Sequence, residues 1–161
     1  MNLFLVLHNI RSLHNVGSIF RTADAMGVRK IYLAGITPEP FDFFGKLRKD
    51  FAKTALGAEK YVEWEKIKNT AALLKRFKEE KITILSLEQS KRAVHINSLS
   101  NPVAKCGVAL ILGNEVRGIP KSILNKSDAV LKIPMHGKKE SLNVSVAAGI
   151  ALFELRTQVS E

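Results

Sequence analysis

The sequence predicts an α/β protein in which a parallel sheet is flanked by helices. Two observations predict it. Short, continuously apolar runs alternate with longer segments of helical periodicity. That alternation is the signature of strands joined through crossover helices, with both sheet faces covered. No internal repeat, low-complexity tract or linker interrupts the 161 residues, so residues 1–161 are expected to form a single domain.

Residues 3–7 are a compact apolar run suited to a buried strand. From Asn15 the period changes, and Val16, Ile19, Phe20, Ala23 and Met26 recur at helical spacing, with Gly27 ending the helix. Residues 31–34 read as a second strand. Residues 37–60 are the least regular part, with two prolines, Phe41, Phe43, Phe44 and a cluster of Lys and Arg; a short helix or two between loops is expected there. Ile67, Ala71, Leu74 and Phe77 mark an amphipathic helix whose exposed face carries Lys75, Arg76 and Lys78. Residues 82–87 and 108–112 supply a third and a fourth strand. Pro120 suits the first turn of a short helix, and residues 130–133 form a fifth strand. A helix over 143–158 closes the chain, with Val146, Ala147, Ile150, Ala151 and Phe153 as its apolar faces.

Charge narrows the function classes. Lys and Arg total 25 against 15 acidic residues, a formal net charge of +10. Such an excess attracts polyanions and favours phosphate backbones through counterion release, although basic solubility alone would account for it equally well. The one cysteine, Cys106, excludes a disulfide framework within the chain and reads as a small buried hydrophobe beside the 108–112 run. His8, His14, His95 and His136 are scattered without ligand spacing, as ordinary polar surface residues would be, so no metal site is expected. The N-terminal apolar stretch is too short for a signal peptide, and no run reaches membrane-spanning length. A cytoplasmic protein is expected.

Familiar nucleotide motifs are absent. No G-x-G-x-x-G follows the first strand, and Gly113 and Gly118 are followed by Ile119-Pro120 where a P-loop needs Lys-Ser/Thr. Three constellations remain. Asn15, Ser18 and Arg21 lie three apart as a polar stripe on the first helix, although Asn15 as a cap and Arg21 as a solvated charge explain them as well. Leu112-Gly113-Asn114-Glu115 follows a buried strand, where ligands collect in parallel α/β proteins and glycine permits close approach; an ordinary strand-to-helix turn would look the same. Ile133-Pro-Met135-His-Gly137, the polar 138–140 loop and Ser141-Leu142-Asn143 could wrap a small molecule, or Ser141 or Asn143 could simply cap the last helix.

Taken together and in order, these segments resemble a known family. Asn15-Val-Gly-Ser-Ile-Phe-Arg21-Thr-Ala, Leu110-Ile-Leu-Gly-Asn-Glu115-Val-Arg-Gly-Ile-Pro120, and Ile133-Pro-Met135 through Ser141-Leu-Asn-Val-Ser145 are similar to the three signature motifs of the SpoU (TrmH-like) RNA ribose 2′-O-methyltransferases of the SPOUT superfamily. The stretch Lys53-Thr-Ala-Leu-Gly-Ala-Glu-Lys60 also resembles that family. The resemblance implies a C-terminal deep trefoil knot that binds S-adenosylmethionine, and a homodimer that completes the active site. Carried over, Leu87, Gly113, Asn114, Ile133, Met135, Ser141 and Leu142 would hold the cofactor, largely through main-chain groups and apolar surface. Arg21, Asn15, Glu115, Ser141 and Asn143 would form the catalytic set. Because the chain begins almost at its first strand and stops after its last helix, it is expected to grip RNA itself, as a dimer or with a partner protein.

A ribose hydroxyl needs alignment and help in losing its proton. Arginine stays protonated in the useful pH range, so Arg21 is expected to pin an RNA phosphate and stabilise charge growing on the 2′-oxygen. Asn15 would orient Arg21 or the ribose, and Glu115 would fix the arginine or the loop. The expected substrate is a nucleotide of transfer or ribosomal RNA, with guanosine favoured by the motif wording. Two rivals stay open: a base methyltransferase on the same scaffold, and a non-catalytic RNA-binding or assembly factor.

Overall fold

The first strand, β1 (Leu3–His8), explains why the apolar runs are continuous. Leu3, Leu5 and Leu7 enter one core while Phe4 and Val6 enter a second on the opposite face. The computed structural model describes residues 2–98 and 106–158. The expected domain over 1–161 includes residues 1, 99–105 and 159–161, which lie outside the described residues.

β1 is followed by β2 (Lys30–Ala34), β3 (Glu63–Ile67), β4 (Thr83–Leu87), β5 (Val94–His95), β6 (Val108–Leu112) and β7 (Ala129–Lys132). They form a seven-stranded sheet in the order β3-β2-β1-β6-β4-β7-β5, and every pairing is parallel. The helices are α1 (Leu13–Ala25), α2 (Lys49–Ala55), α3 (Thr70–Glu79), α4 (Lys121–Leu124) and α5 (Val144–Thr157). α1, α2 and α5 cover the Leu3/Leu5/Leu7 face, and α3 and α4 cover the other. Because the sheet is wholly parallel, all strand carboxyl ends share one edge, where ligands bind in such folds. Two late strands are inserted between earlier ones: β6 between β1 and β4, and β7 between β4 and β5.

α1 buries Val16, Ile19, Phe20 and Ala23 as its periodicity predicts. Its start differs from expectation. Ser12 is the cap, its hydroxyl accepting the Asn15 N–H at 3.2 Å, which leaves the Asn15 side chain free for the site. Gly17 meets α2 so closely that a Cβ there would lie 2.2 Å from Thr54 Oγ1 and 2.6 Å from the Phe51 carbonyl oxygen. The Thr54 hydroxyl donates to the His14 carbonyl at 3.0 Å, which ties the two helices together.

Five strands were expected, and seven are present among the described residues. β3 escapes the apolar pattern because it is an edge strand, whose exposed flank carries charge rather than hydrophobes. Lys30 of β2 pairs across to Glu63 and Glu65 at 3.3 and 3.0 Å. Ile67 therefore ends a strand, and the helix it was expected to join begins at Thr70 under the Asn69 cap. β5 has two residues, too few for any periodicity. Pro120 sits at the cap of α4, one residue earlier than a first-turn position. In α5, Ala148, Ala151, Leu152 and Leu155 are buried, whereas Val146, Ile150 and Phe153, expected as packed apolar faces, are exposed. Cys106 is exposed, not a buried hydrophobe. His8 is half-buried rather than an ordinary surface residue. Burial lowers its pKa, and its Nδ1 lies 3.0 Å from Thr70 Oγ1. No helix among the described residues is long and apolar enough to cross a membrane.

Candidate functional site

Glu115, on the loop after β6, reaches across to the start of α1. Its carboxylate accepts the Arg11 N–H (3.0 and 3.2 Å), the Ser12 N–H (3.0 Å) and the Asn15 side-chain amide (3.2 Å). A carboxylate here also meets the positive end of the α1 dipole. Asn143 closes the chain of contacts. As the cap of α5, its Oδ1 accepts from Ser145 N and Oγ, and its amide donates to Asn15 Oδ1 at 3.1 Å. Asn15 is thus held from both sides, and segments more than a hundred residues apart are joined by polar side chains.

Burial works against the Glu115 carboxylate, but the N–H groups of Arg11, Ser12 and Glu115 itself, together with the Asn15 amide, outweigh it. Its pKa lies below the ordinary value of 4.5. A depressed folded-state pKa means that this contribution to stability is fully present above pH 4.5 and is lost as pH falls through the lower folded value. On acidification below pH 4.5, the melting temperature is expected to fall more steeply in the native protein than in Glu115→Gln. Parallel profiles in a calorimetric pH series would refute this.

The loop carrying Glu115 is braced internally. Asn114 Oδ1 accepts the Val116 and Arg117 N–H groups at 3.0 and 2.9 Å, and its amide donates to the Asn9 carbonyl at 2.8 Å. Gly113 permits the loop to fold back on itself: a Cβ there would stand 2.5 Å from Ile119 Cγ1 and 2.6 Å from the Gly118 carbonyl carbon. The protein's own chain also passes close to Gly113, which lines the pocket at this edge of the sheet.

A pocket of about 360 Å³ opens at the carboxyl ends of β4, β6 and β7. Of the residues expected to act, Asn15, Leu87, Gly113, Asn114, Glu115, Ile133, Ser141, Leu142 and Asn143 line it. Met135 is partly buried against the core and does not line it. Arg21 is exposed on α1, makes no hydrogen bond or ion pair with a described residue, and is outside the pocket lining. Six residues separate it from Asn15, roughly 9 Å along a helix axis. Ser141 lines the pocket without a hydrogen bond among the described residues.

Sequence reasoning missed Glu88 and Gln89, just past β4. Glu88 accepts the Ile119 N–H at 2.7 Å, and Gln89 donates to the Ile133 carbonyl at 2.8 Å. They clamp the β6 loop and the β7 exit onto β4. In sequence they read as an unremarked polar turn. The lining suits an adenosyl sulfonium compound: Leu87, Ile133, Leu142 and Ala147 offer apolar walls, and the acidic groups Glu88 and Glu115 outnumber Lys132. Its volume is within the range of about 300–1,000 Å³ usual for small-ligand sites. Among the described residues, no group of three or more His, Cys, Asp or Glu could hold a metal ion.

A second cleft of about 580 Å³ lies on the other flank of the same loop, over the ends of β2, β1 and β6, and is lined by Asn9, Arg11, Ile36 and Arg117 among others.

Comparison with known proteins shows the family and the fold that this chain shares. The model of the SpoU rRNA Methylase family matches residues 2–153. A tRNA (guanosine(18)-2′-O)-methyltransferase of Aquifex aeolicus is 32% identical over 160 residues, covering 99% of this chain and 71% of the relative. The 23S rRNA (guanosine-2′-O-)-methyltransferase RlmB of Neisseria meningitidis is 35% identical over 158 residues, covering 97% and 58%. The crystal structure of an AdoMet-bound rRNA methyltransferase from Sinorhizobium meliloti superposes with a TM-score of 0.84 at 25% identity, over 98% of this chain and 57% of that one. The chain therefore spans little more than half of two of these three proteins.

Proposed function

Because the chain belongs to the SpoU rRNA methylase family, we propose that it catalyses S-adenosylmethionine-dependent methylation of a ribose 2′-hydroxyl in transfer or ribosomal RNA. The observation that carries this reading is the Glu115–Asn15–Asn143 network, which draws the three motif segments around one pocket at the sheet's carboxyl edge. The named relatives from Aquifex and Neisseria act on guanosine, so guanosine is the proposed target. In this reading residues 1–161 are one catalytic domain acting in the cytoplasm on RNA, and both cores share the central strands β1 and β6.

S-adenosylmethionine supplies an electrophilic methyl group when bound. Leu87, Ile133 and Leu142 are the proposed walls for its adenosyl part, with Gly113, Asn114, Ser141 and, from the partly buried β7 exit, Met135 completing its site. Asn15 orients Arg21 or the ribose, held in place by Glu115 on one side and Asn143 on the other. Arg21 pins an RNA phosphate and stabilises negative charge developing on the 2′-oxygen, while the proton leaves to phosphate or water.

The Arg21 role requires a second copy of the chain. Its position outside its own pocket supports a homodimer in which Arg21 of one copy serves the pocket of the other. Val146, Ile150 and Phe153 form an exposed apolar stripe along α5, 41 to 58% accessible. Thr22, next to Arg21, stands against Gly149 of the same helix, so the stripe flanks the arginine. The insertion of β6 and β7 between earlier strands and the return of Asn143 to Asn15 support the proposed C-terminal knot, a topology that requires a threading connections normally avoid.

The test is methyl transfer from labelled S-adenosylmethionine to unmodified transfer and ribosomal RNA, followed by nuclease digestion. A 2′-O-methyl group blocks cleavage at the modified linkage, and labelled product that is cleaved normally would point instead to a base methyltransferase. Failure to bind S-adenosylmethionine in calorimetry would favour a non-catalytic RNA-binding factor.

A further inference from the structure

Phe43 and Phe44 stand almost wholly in solvent, 96% and 89% exposed, on a turn that is otherwise firmly held. Asp42 Oδ1 accepts the Phe44 and Lys46 N–H groups, both at 2.9 Å, and the Asp42 N–H donates to the Lys46 carbonyl at 2.9 Å. Phe41 and Leu47 pair as an antiparallel bridge, and the Phe41 ring stacks on Trp64 of β3 at 6.3 Å. The root is anchored as well. The buried Thr37 hydroxyl donates to the Leu7 carbonyl at 2.6 Å, and Lys66 donates to the Gly35 and Thr37 carbonyls at 2.6 and 2.5 Å. The result is a braced finger whose tip carries two rings set edge to face, 5.6 Å apart.

Burying phenylalanine is favourable, yet this turn spends its internal bonds on holding two of them in water. Exposed cations follow at once: Lys46, Arg48 and Lys49. The charge and the rings together match unpaired RNA, whose phosphates attract cations and whose bases stack on aromatic faces. The position fits too. The finger emerges after β2, from the same sheet edge as the pocket, and β2 is two strands from β6, roughly 10 Å away. Between them lies the second cleft, lined by Arg11 and Arg117.

We propose that Phe43 and Phe44 form a stacking platform for unpaired bases flanking the target nucleotide of the RNA substrate, with Lys46, Arg48 and Lys49 holding the adjoining phosphates. This rests on the RNA methyltransferase reading for the identity of the target but not for the binding itself. The test uses a stem-loop RNA carrying 2-aminopurine in its loop, whose fluorescence is quenched on stacking, with no methyl donor added. The F43A/F44A variant is expected to keep the native melting temperature, to lose quenching, and to bind at least about 30-fold more weakly, from roughly 5-fold or more per ring. F43W/F44W should retain both signals, and F43L/F44L should lose them. Unchanged RNA affinity in F43A/F44A would overturn the proposal. So would full affinity in F43L/F44L, because an apolar tip that docks protein needs no ring. S-adenosylmethionine binding, measured separately, reports on the enzymatic reading: its absence beside a ring-dependent RNA affinity would leave the platform standing and remove the methyltransferase.

Discussion

Replacing Arg21 with alanine is expected to abolish methyl transfer while leaving affinity for S-adenosylmethionine and the melting temperature unchanged. The residue is exposed, makes no hydrogen bond or ion pair with a described residue, and does not line the pocket of its own chain, so its removal disturbs neither core nor cofactor walls. What it removes is a cation proposed to face the developing oxyanion. Loss of one such group typically lowers kcat by about 10²- to 10³-fold. Lysine should restore little, since it offers a point charge where a planar fork can hold phosphate through two N–H groups. Steady-state rates with saturating RNA, alongside calorimetric titration of the cofactor, make the comparison. A normal rate in Arg21→Ala would remove the arginine from the mechanism.

The geometry also sets a sharper version of that experiment. If Arg21 of one copy serves the pocket of the other, mixing Arg21→Ala with Gly113→Val, at a cofactor concentration too low to load the Gly113→Val pocket, should regain activity. A chain with Arg21→Ala keeps an intact pocket, and a chain with Gly113→Val keeps an intact arginine, so a mixed dimer holds one complete site. With random exchange, recovery of about a quarter of the native rate is expected from two-fold symmetry. Arg21 acting within its own chain would give none.

Gly113→Val is the second large effect, and it follows from steric fact rather than from any contact with a ligand. A Cβ at 113 would lie 2.5 Å from Ile119 Cγ1, 2.6 Å from the Gly118 carbonyl carbon and 2.7 Å from the Ile119 nitrogen. Two of those atoms are backbone, so the loop itself must move. Ile119 is buried beside Ile111 and Ile123, and its N–H is held by Glu88. Forcing extra atoms into such a site costs about 1–3 kcal/mol, enough to lower the melting temperature by several degrees. Displacing residues 114–118 also shifts Glu115 away from Arg11, Ser12 and Asn15, so the cofactor pocket loses a wall. Affinity for S-adenosylmethionine should fall at least tenfold, about 1.4 kcal/mol. An unchanged dissociation constant with an unchanged melting temperature would contradict the packing described for this loop.

Much of the pocket lining is legible in the sequence, and the reason is local. Asn143 as a cap, the helical spacing of Val16, Ile19 and Phe20, and the apolar run ending at Leu112 are all properties of a few neighbouring residues. Asn15 was readable as a polar residue on α1, and the family resemblance put it in the catalytic set, but nothing in the sequence names the partners that hold it. Its freedom depends on Ser12 taking the cap, and its partners come from 100 and 128 positions away. Glu88 and Gln89 gave no signal at all, since a Leu-Glu-Gln-Ser stretch after a strand is what any solvated turn looks like. They become clamps because β4 lies between β6 and β7.

The same division holds for the strands and for α5. Buried strands announce themselves through unbroken hydrophobicity, but edge strand β3 carries Glu63, Glu65 and Lys66, and its pairing shows only when Lys30 is seen opposite. The α5 pattern was apolar on every side, and period alone cannot say which side faces the sheet. The structure assigns Ala148, Ala151, Leu152 and Leu155 to the core and leaves Ile150 and Phe153 outside. The buried strands, the longer helices, the family motifs and the basic charge were all legible in the chain, because these depend on side chains within a turn or two of one another. Only the tertiary structure decided that β6 inserts between β1 and β4, that Glu115 meets Asn15, and that Arg21 stands apart from the pocket. Those are consequences of strand order, which is set by the packing of both sheet faces at once and leaves no mark on any short stretch of chain.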